Sequence, residues 1–149
     1  MKLTAHFDLS EFTRSESAKR EGLDNTPTAE HLENLKILCE KVLEPIRLRF
    51  GSINISSGYR GKMLNHFIGG SVNSDHCLGR AADLDMDDSG SGVTNKEIFE
   101  YIKDNLEFDQ LINEFNYSWV HVGYRLGANR KQVLKAVKEK GKTVYQVIK

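Results

Sequence analysis

From Ala29 onward, Leu32, Leu35, Ile37, Leu38, Val42, Leu43 and Ile46 recur at three- and four-residue intervals, the spacing of one buried helical face. Asn25-Thr26-Pro27-Thr28 supplies the start, because proline is favoured in a first helical turn. Pro45 is expected to end or kink this helix near Leu43-Glu44, since it has no N–H and its ring clashes with the preceding turn. Upstream, Leu9-Ser10-Glu11-Phe12 and the stretch from Arg14 to Arg20 read as short helical turns, with Ser10 and Ser15 as caps. Downstream, Ile53-Asn54-Ile55-Ser56-Ser57 alternates as a strand does, and Gly58-Tyr59-Arg60-Gly61 closes it. Met63 to Ile68 reads as a short helix, residues 71–82 as polar loop, Ala81 to Met86 as a second strand and Asp87 to Gly92 as a turn. A helix follows from Thr94 to about Asn105, with Ile98, Phe99 and Ile102 inward. Phe108 to Phe115 and Ser118 to Tyr124 form an expected hairpin. Asn129 to Lys140 reads as a last helix burying Val133, Leu134 and Val137, before a short tail from Thr143 to Ile148. The pattern predicts one α+β domain, a small central antiparallel sheet with flanking helices.

Composition narrows the function classes. The 149 residues carry 21 Lys plus Arg and 21 Asp plus Glu, a formal net charge of zero. Non-specific nucleic-acid or anionic-membrane binding needs a basic excess, so no nucleic-acid partner is expected. No apolar run reaches the roughly 18 residues of a membrane span, and none is expected to insert. Met1-Lys2-Leu3-Thr4-Ala5-His6-Phe7-Asp8 turns polar too early for a signal peptide, so synthesis is expected in the cytoplasm. Cys39 and Cys77 are too few for a disulfide framework and too far apart for a zinc knuckle. Cys39 falls in the apolar helical pattern and reads as a buried small hydrophobe. A monomer is expected.

The candidate chemistry lies elsewhere. His6 and His31 sit in ordinary amphipathic surroundings and read as surface residues, and His66 has no ligand-like partner spacing. In Ser74-Asp75-His76-Cys77-Leu78-Gly79-Arg80-Ala81-Ala82-Asp83, a histidine and an aspartate are separated by a glycine turn and two alanines. Small residues let the backbone run close to whatever the two side chains hold. Zinc takes nitrogen and oxygen ligands at about 2.0–2.2 Å, which suits an imidazole and a carboxylate. In Trp119-Val120-His121-Val122, His121 would project from a strand as the third ligand, leaving a fourth place for water. The same spacing equally suits a buried His–Asp hydrogen bond with an unrelated core histidine.

Taken together, Ser74-x-His76-x-x-Gly79-x-Ala81-x-Asp83 followed by Trp119-x-His121 resembles the signature of the zinc D-Ala-D-Ala carboxypeptidase and endopeptidase family, peptidase M15. Its short branch, often found in phage and prophage lysis genes, is also similar at Leu9 to Phe12, Asn25-Thr26-Pro27, Ser57-Gly58-Tyr59-Arg60 and Phe108 to Ile112. The likeness runs from about residue 7 to 135 in order. It implies a single zinc DD-peptidase domain (hedgehog/DD-peptidase-like) over residues 1–149, a Zn2+ cofactor on His76, Asp83 and His121, and the peptidoglycan stem peptide as substrate, reached after release from the cell.

By the same resemblance Arg60 holds a substrate carbonyl or carboxylate, a task for an always-charged fork of donors, though a strand-ending surface arginine has the same appearance. Ser74 is either a substrate contact or a loop cap. Several members carry a glutamate three residues before the last histidine. Here that position is Ser118, and Gly123 stands where a serine is common. Glu114 is the nearest acid. If a short loop joins the hairpin, it pairs with Trp119, on the face of His121 and one diagonal step away. Asp75 and Asp85 are weaker candidates for the base. The implied chemistry is amide hydrolysis by water whose pKa zinc lowers from about 16 to about 7, with Glu114 moving the proton. The alternative is a non-catalytic zinc-binding module of the same fold.

Overall fold

The computed structural model describes residues 1–87 and 89–148; of the expected turn at 87–92, residue 88 lies outside the described residues. Strands β1 (Lys2–Thr4) and β2 (Phe7–Asp8) form a small antiparallel ribbon ahead of helices α1 (Ser10–Thr13) and α2 (Glu16–Glu21). Ser15 caps α2 by accepting from the Ala18 amide. Ser10 does not cap α1; its own N–H and hydroxyl donate to Asp8.

Helix α3 (Ala29–Leu38) begins where Thr28 accepts from the His31 amide. Pro45 neither ends nor sharply stops it. A π-helical turn over Cys39–Leu43 continues into α4 (Glu44–Phe50), and the Glu44 N–H reaches back to the Cys39 carbonyl. Widening the helix by one residue just before the proline takes up the ring and the missing donor, the usual use of a π-bulge. Leu35, Leu38, Cys39, Val42, Leu43 and Ile46 are fully buried along this rod. Cys39 and Cys77 are both free, and burial pushes the Cys39 thiol well above its usual range.

The remaining elements are β3 (Ile55–Ser57), α5 (Lys62–Phe67), a 3₁₀ turn (Asp75–Leu78), β4 (Ala81–Leu84), α6 (Asn95–Asn105), β5 (Gln110–Glu114), β6 (Trp119–Gly123), β7 (Gln132–Glu139) and β8 (Lys142–Val147). Thr94 and Glu97 close a reciprocal capping box at the start of α6. The large sheet has the order β3-β4-β6-β5-β7-β8. One face packs on the helices through Leu84, Ile98, Phe99, Leu111, Val120 and Val122.

Three sequence expectations fail at the C-terminus. The last helix expected over Asn129–Lys140 is strand β7, and the tail is strand β8. The sheet is mixed, because β7 runs parallel to β5 from Gln110↔Gln132 to Glu114↔Ala136. Strand β7 lies between β5 and β8 and is buried on both faces. Val133 enters the main core while Leu134 and Ala136 pack with Ile112 on the other side. Without clean alternation, Val133, Leu134 and Val137 matched a helical spacing by chance. A buried carboxylate fixes the crossover into β7. Asp109 accepts from the Arg130 backbone N–H at 3.1 Å and from its Nε and Nη2 at 2.9 Å each.

Gly58, just past β3, has no room for a side chain: a Cβ there would fall 2.6 Å from the Phe12 Cα. Gly58→Ala is therefore expected to cost about 1–3 kcal/mol, the range for overpacking. Calorimetry should show it as a melting point lower by about 3–10 °C.

Candidate metal centre

Asp83 on β4 and His121 on β6 are directly opposed in register and share the sheet face turned away from the helices. His76 comes from the 3₁₀ turn, which opens with the Ser74 hydroxyl accepting from the His76 N–H and closes at Gly79. Gly79 has φ +72°, and a Cβ there would meet the His31 carbonyl at 2.4 Å, so only glycine lets this turn seat against α3. His31 is accordingly half-buried, its Nδ1 3.2 Å from the Tyr59 hydroxyl, rather than a surface residue. His6 and His66 are exposed, and His6 pairs with Glu44.

His76 Nε2 lies 3.3 Å and His121 Nδ1 3.0 Å from Asp83 Oδ1, and one donor atom from each residue lies within 4.8 Å of the others. Bonds of about 2.1 Å in a tetrahedral site set donors about 3.4 Å apart, so the three residues fit a zinc-sized ion. Their side chains are only 3%, 14% and 12% exposed. His76 Nδ1 donates to the Gly58 carbonyl at 2.7 Å, which orients the ring with Nε2 toward Asp83. Burial alone would raise the Asp83 pKa, but the charge of His76 and the hydrogen bonds from His121 and His76 hold it well below the usual carboxylate range. Burial would lower the His121 pKa, yet the hydrogen bond and charge of Asp83, with Glu114 and Asp75 beyond, raise it.

Glu114 is opposite Trp119 in the β5–β6 register, so it stands diagonal to His121 on the same face. It is buried, and the loss of water pushes its carboxyl up to about 7; His121 pulls the value down and Asp83 pushes it up. The other two acids differ. Asp75 borders the same groove but is paired with Arg125 at 3.2 Å. Asp85 faces away, accepting from the Asn95 amide group and the Asp87 N–H. Ser118 is exposed and its hydroxyl donates to the Phe115 carbonyl, stabilising a loop in which Phe115, Asn116 and Tyr117 all adopt positive φ.

A groove of about 790 Å³ runs over this face. The three candidate ligands and Glu114 lie along it together with Arg60 and Ser74. Arg60 Nη2 donates to the Ser74 hydroxyl at 3.4 Å, and its buried Nε has no partner among the described residues. Ser74 is thus a loop cap in this structure, and its hydroxyl also borders the groove.

The anchoring roles of three residues, Asn25, Asn95 and Asp109, are not marked in the sequence. Asn25 donates to the Thr13 and Tyr59 carbonyls and accepts from Gly61, clamping the turn that carries Arg60. Buried Asn95 donates to the Tyr117 and Ser118 carbonyls and accepts from the Met86 N–H, bracing the β5–β6 loop. Asp109 is the third. An asparagine just inside a helix start, where it has low propensity, is the one sequence signal that sets Asn95 apart.

A buried His–Asp–His donor set on a rigid sheet, open to a groove and beside a carboxylate, is the arrangement of a metal-dependent hydrolase. The sequence model of the family described as Peptidase M15 matches residues 5–123. The chain therefore belongs to the peptidase M15 family, whose members are metallopeptidases. No curated protein matches the sequence. Among the described residues no helix is long and apolar enough to cross a membrane.

Proposed function

We propose that the protein is a zinc metallopeptidase with the zinc DD-peptidase fold. It hydrolyses an amide bond in the peptide stem of bacterial peptidoglycan, as a carboxypeptidase or an endopeptidase, after release from the cell. The observation that carries this reading is Glu114, buried and diagonal to His121 on the groove face. A zinc ion on His76, Asp83 and His121 would supply Lewis-acid activation of water and of the amide carbonyl. Glu114 removes the proton from the attacking water as its oxygen bonds to the carbonyl carbon. The carboxylic acid then delivers that proton to the amide nitrogen as the C–N bond breaks. Arg60, whose guanidinium borders the groove, binds a substrate carbonyl or terminal carboxylate and stabilises the developing oxyanion. Ser74 adds a hydroxyl contact at the same end of the groove. Asp75 is less well placed because its carboxylate is already engaged by Arg125 at 3.2 Å.

The second reading, a non-catalytic zinc module, is favoured only by Ser118 at the position where relatives carry an acid. Digestion of purified peptidoglycan by the zinc-loaded protein, followed by mass spectrometry, separates the two. A defined stem fragment released by the wild type and not by Glu114→Gln is expected. Intact peptidoglycan in both samples, with one zinc bound per chain, would leave the module reading.

A further inference from the structure

Strands β7 and β8 lie beyond the matched segment, yet they build one whole side of the groove. Strand pairing continues the site's own rows across the sheet. Asp83, His121, Ile112, Leu134 and Val147 stand in one row; Trp119, Glu114, Ala136 and Tyr145 stand in the next. Because side chains opposed in register share a face, Tyr145 and Val147 project on the same side as the candidate ligands. All of Leu134, Tyr145, Val147 and Thr143 border the groove. Ala136 stands between Glu114 and Tyr145 in its row and is fully buried, packed with Ile112, Leu134 and Phe115.

The two walls differ in chemistry. Arg60, Ser71, Asn73 and Ser74 line the side near His76 and offer charge and hydrogen bonds. The hairpin side offers Leu134, Tyr145 and Val147, with the uncharged polar Gln132 and Thr143 beside them. Tyr145 is 54% exposed and Val147 is 72% exposed, so the two present an open apolar pair on the groove face. A peptide lying in the groove would cover both while its polar end meets Arg60.

We propose that the β7–β8 hairpin is the specificity wall of the enzyme, where Tyr145 and Val147 receive a long aliphatic side chain on a substrate residue flanking the cleaved bond. This deepens the peptidoglycan reading and rests on it. Tyr145 is a positioning residue, and its phenol stays protonated because burial, Glu114 and Asp83 all disfavour its ionisation. A chain of several methylenes laid against the half-open wall gains about tenfold or more in kcat/KM over a methyl at the same position, since each buried methylene is worth a few-fold.

The test pairs synthetic stem peptides that differ only by alanine or lysine at each residue flanking the bond. They are digested by zinc-loaded wild type and by Tyr145→Ser and Val147→Ser, both exposed positions at which the melting point and zinc content are expected to hold. The expected result is a wild-type preference of about tenfold for the longer chain at one position, collapsing toward unity in both variants. In a parallel titration of Glu114→Gln with the lysine peptide, amide resonances of residues 143–147 should move. Cleavage without preference, a preference that survives both substitutions, or peptide shifts that spare residues 143–147 would each overturn the hairpin proposal while leaving the peptidase. Failure of the wild type to cut or bind any stem peptide would overturn the peptidoglycan reading and this proposal with it.

Discussion

Replacing Glu114 by glutamine should reduce kcat by about 10²–10⁴-fold while leaving one zinc per chain, the range that a positioned proton-transfer group contributes. The amide keeps the size and buried position of the carboxylate, so any loss of turnover with metal content unchanged belongs to proton transfer. Stability should move the opposite way. In the metal-free protein the Glu114 carboxyl sits at about 7, above its ordinary value of 4.5. The folded state therefore holds this proton more tightly than the unfolded chain does. Its favourable contribution is complete below pH 4.5 and disappears as pH rises through about 7, some 3 kcal/mol in all. His121, also raised, adds a loss in the same direction above its unfolded value of 6.5. Melts from pH 4.5 to 8 should thus fall more steeply in metal-free wild type than in Glu114→Gln. Equal slopes would show that Glu114 titrates normally and is not desolvated as the structure describes.

Asp83→Asn should abolish function by a different route, through the metal. Structural zinc sites in small domains hold the ion with roughly 10–16 kcal/mol, so losing the one anionic ligand of three should weaken binding by about 10³-fold. Saturating zinc should raise the wild-type stability by about 4 kcal/mol at a thousand times Kd and leave the variant nearly unmoved. The acid limb gives a second reading. Asp83 is held well below its ordinary 3.8 by His76 and His121, so its contribution is present above pH 3.8 and is lost as pH falls further. That acid sensitivity should be absent in Asp83→Asn. Competition titrations with a chromophoric chelator would measure the affinity, and an unchanged Kd would remove Asp83 from the ligand set.

The legibility of the chain followed the locality of its interactions. Helices α3 and α6 were readable because period, cap and apolar face all lie within one segment; the Thr94–Glu97 box is the clearest instance. The hairpin of β5 and β6 was readable too, and with it the diagonal placing of Glu114 and His121, since a short loop fixes the register of the strands it joins. Strand β7 was not. Its partner in pairing is β5, earlier in the chain and parallel, and nothing within residues 129–140 records that neighbour. The groove's second wall was lost with it, so Tyr145 and Val147 were passed over as tail. The anchoring roles of Asn25, Asn95 and Asp109 were missed for a related reason: each is a single polar residue whose partners are carbonyls, amides or a guanidinium brought near by the fold. His76, Asp83 and His121 are legible through the resemblance that their motif carries, since their spacing alone suits a buried hydrogen bond as well; the approach of both histidines to Asp83 at 3.3 and 3.0 Å is a property of the fold.

The parallel pairing of β5 with β7 also bears on the order of assembly. Strand β5 carries Glu114 and stays an open edge until residues 132–139 dock beside it. During synthesis that edge waits for β7 to emerge, and such non-local parallel pairing closes slowly. An unpaired edge with an apolar row is a template for another chain, so this interval is when self-association is most favourable. Once β7 and β8 are in place the outer edge bears Lys142 and a mostly solvated strand, which discourages further pairing. The groove therefore gains its second wall in the same event that seals the sheet, and a chain caught before that event has a half-built groove and is prone to aggregate.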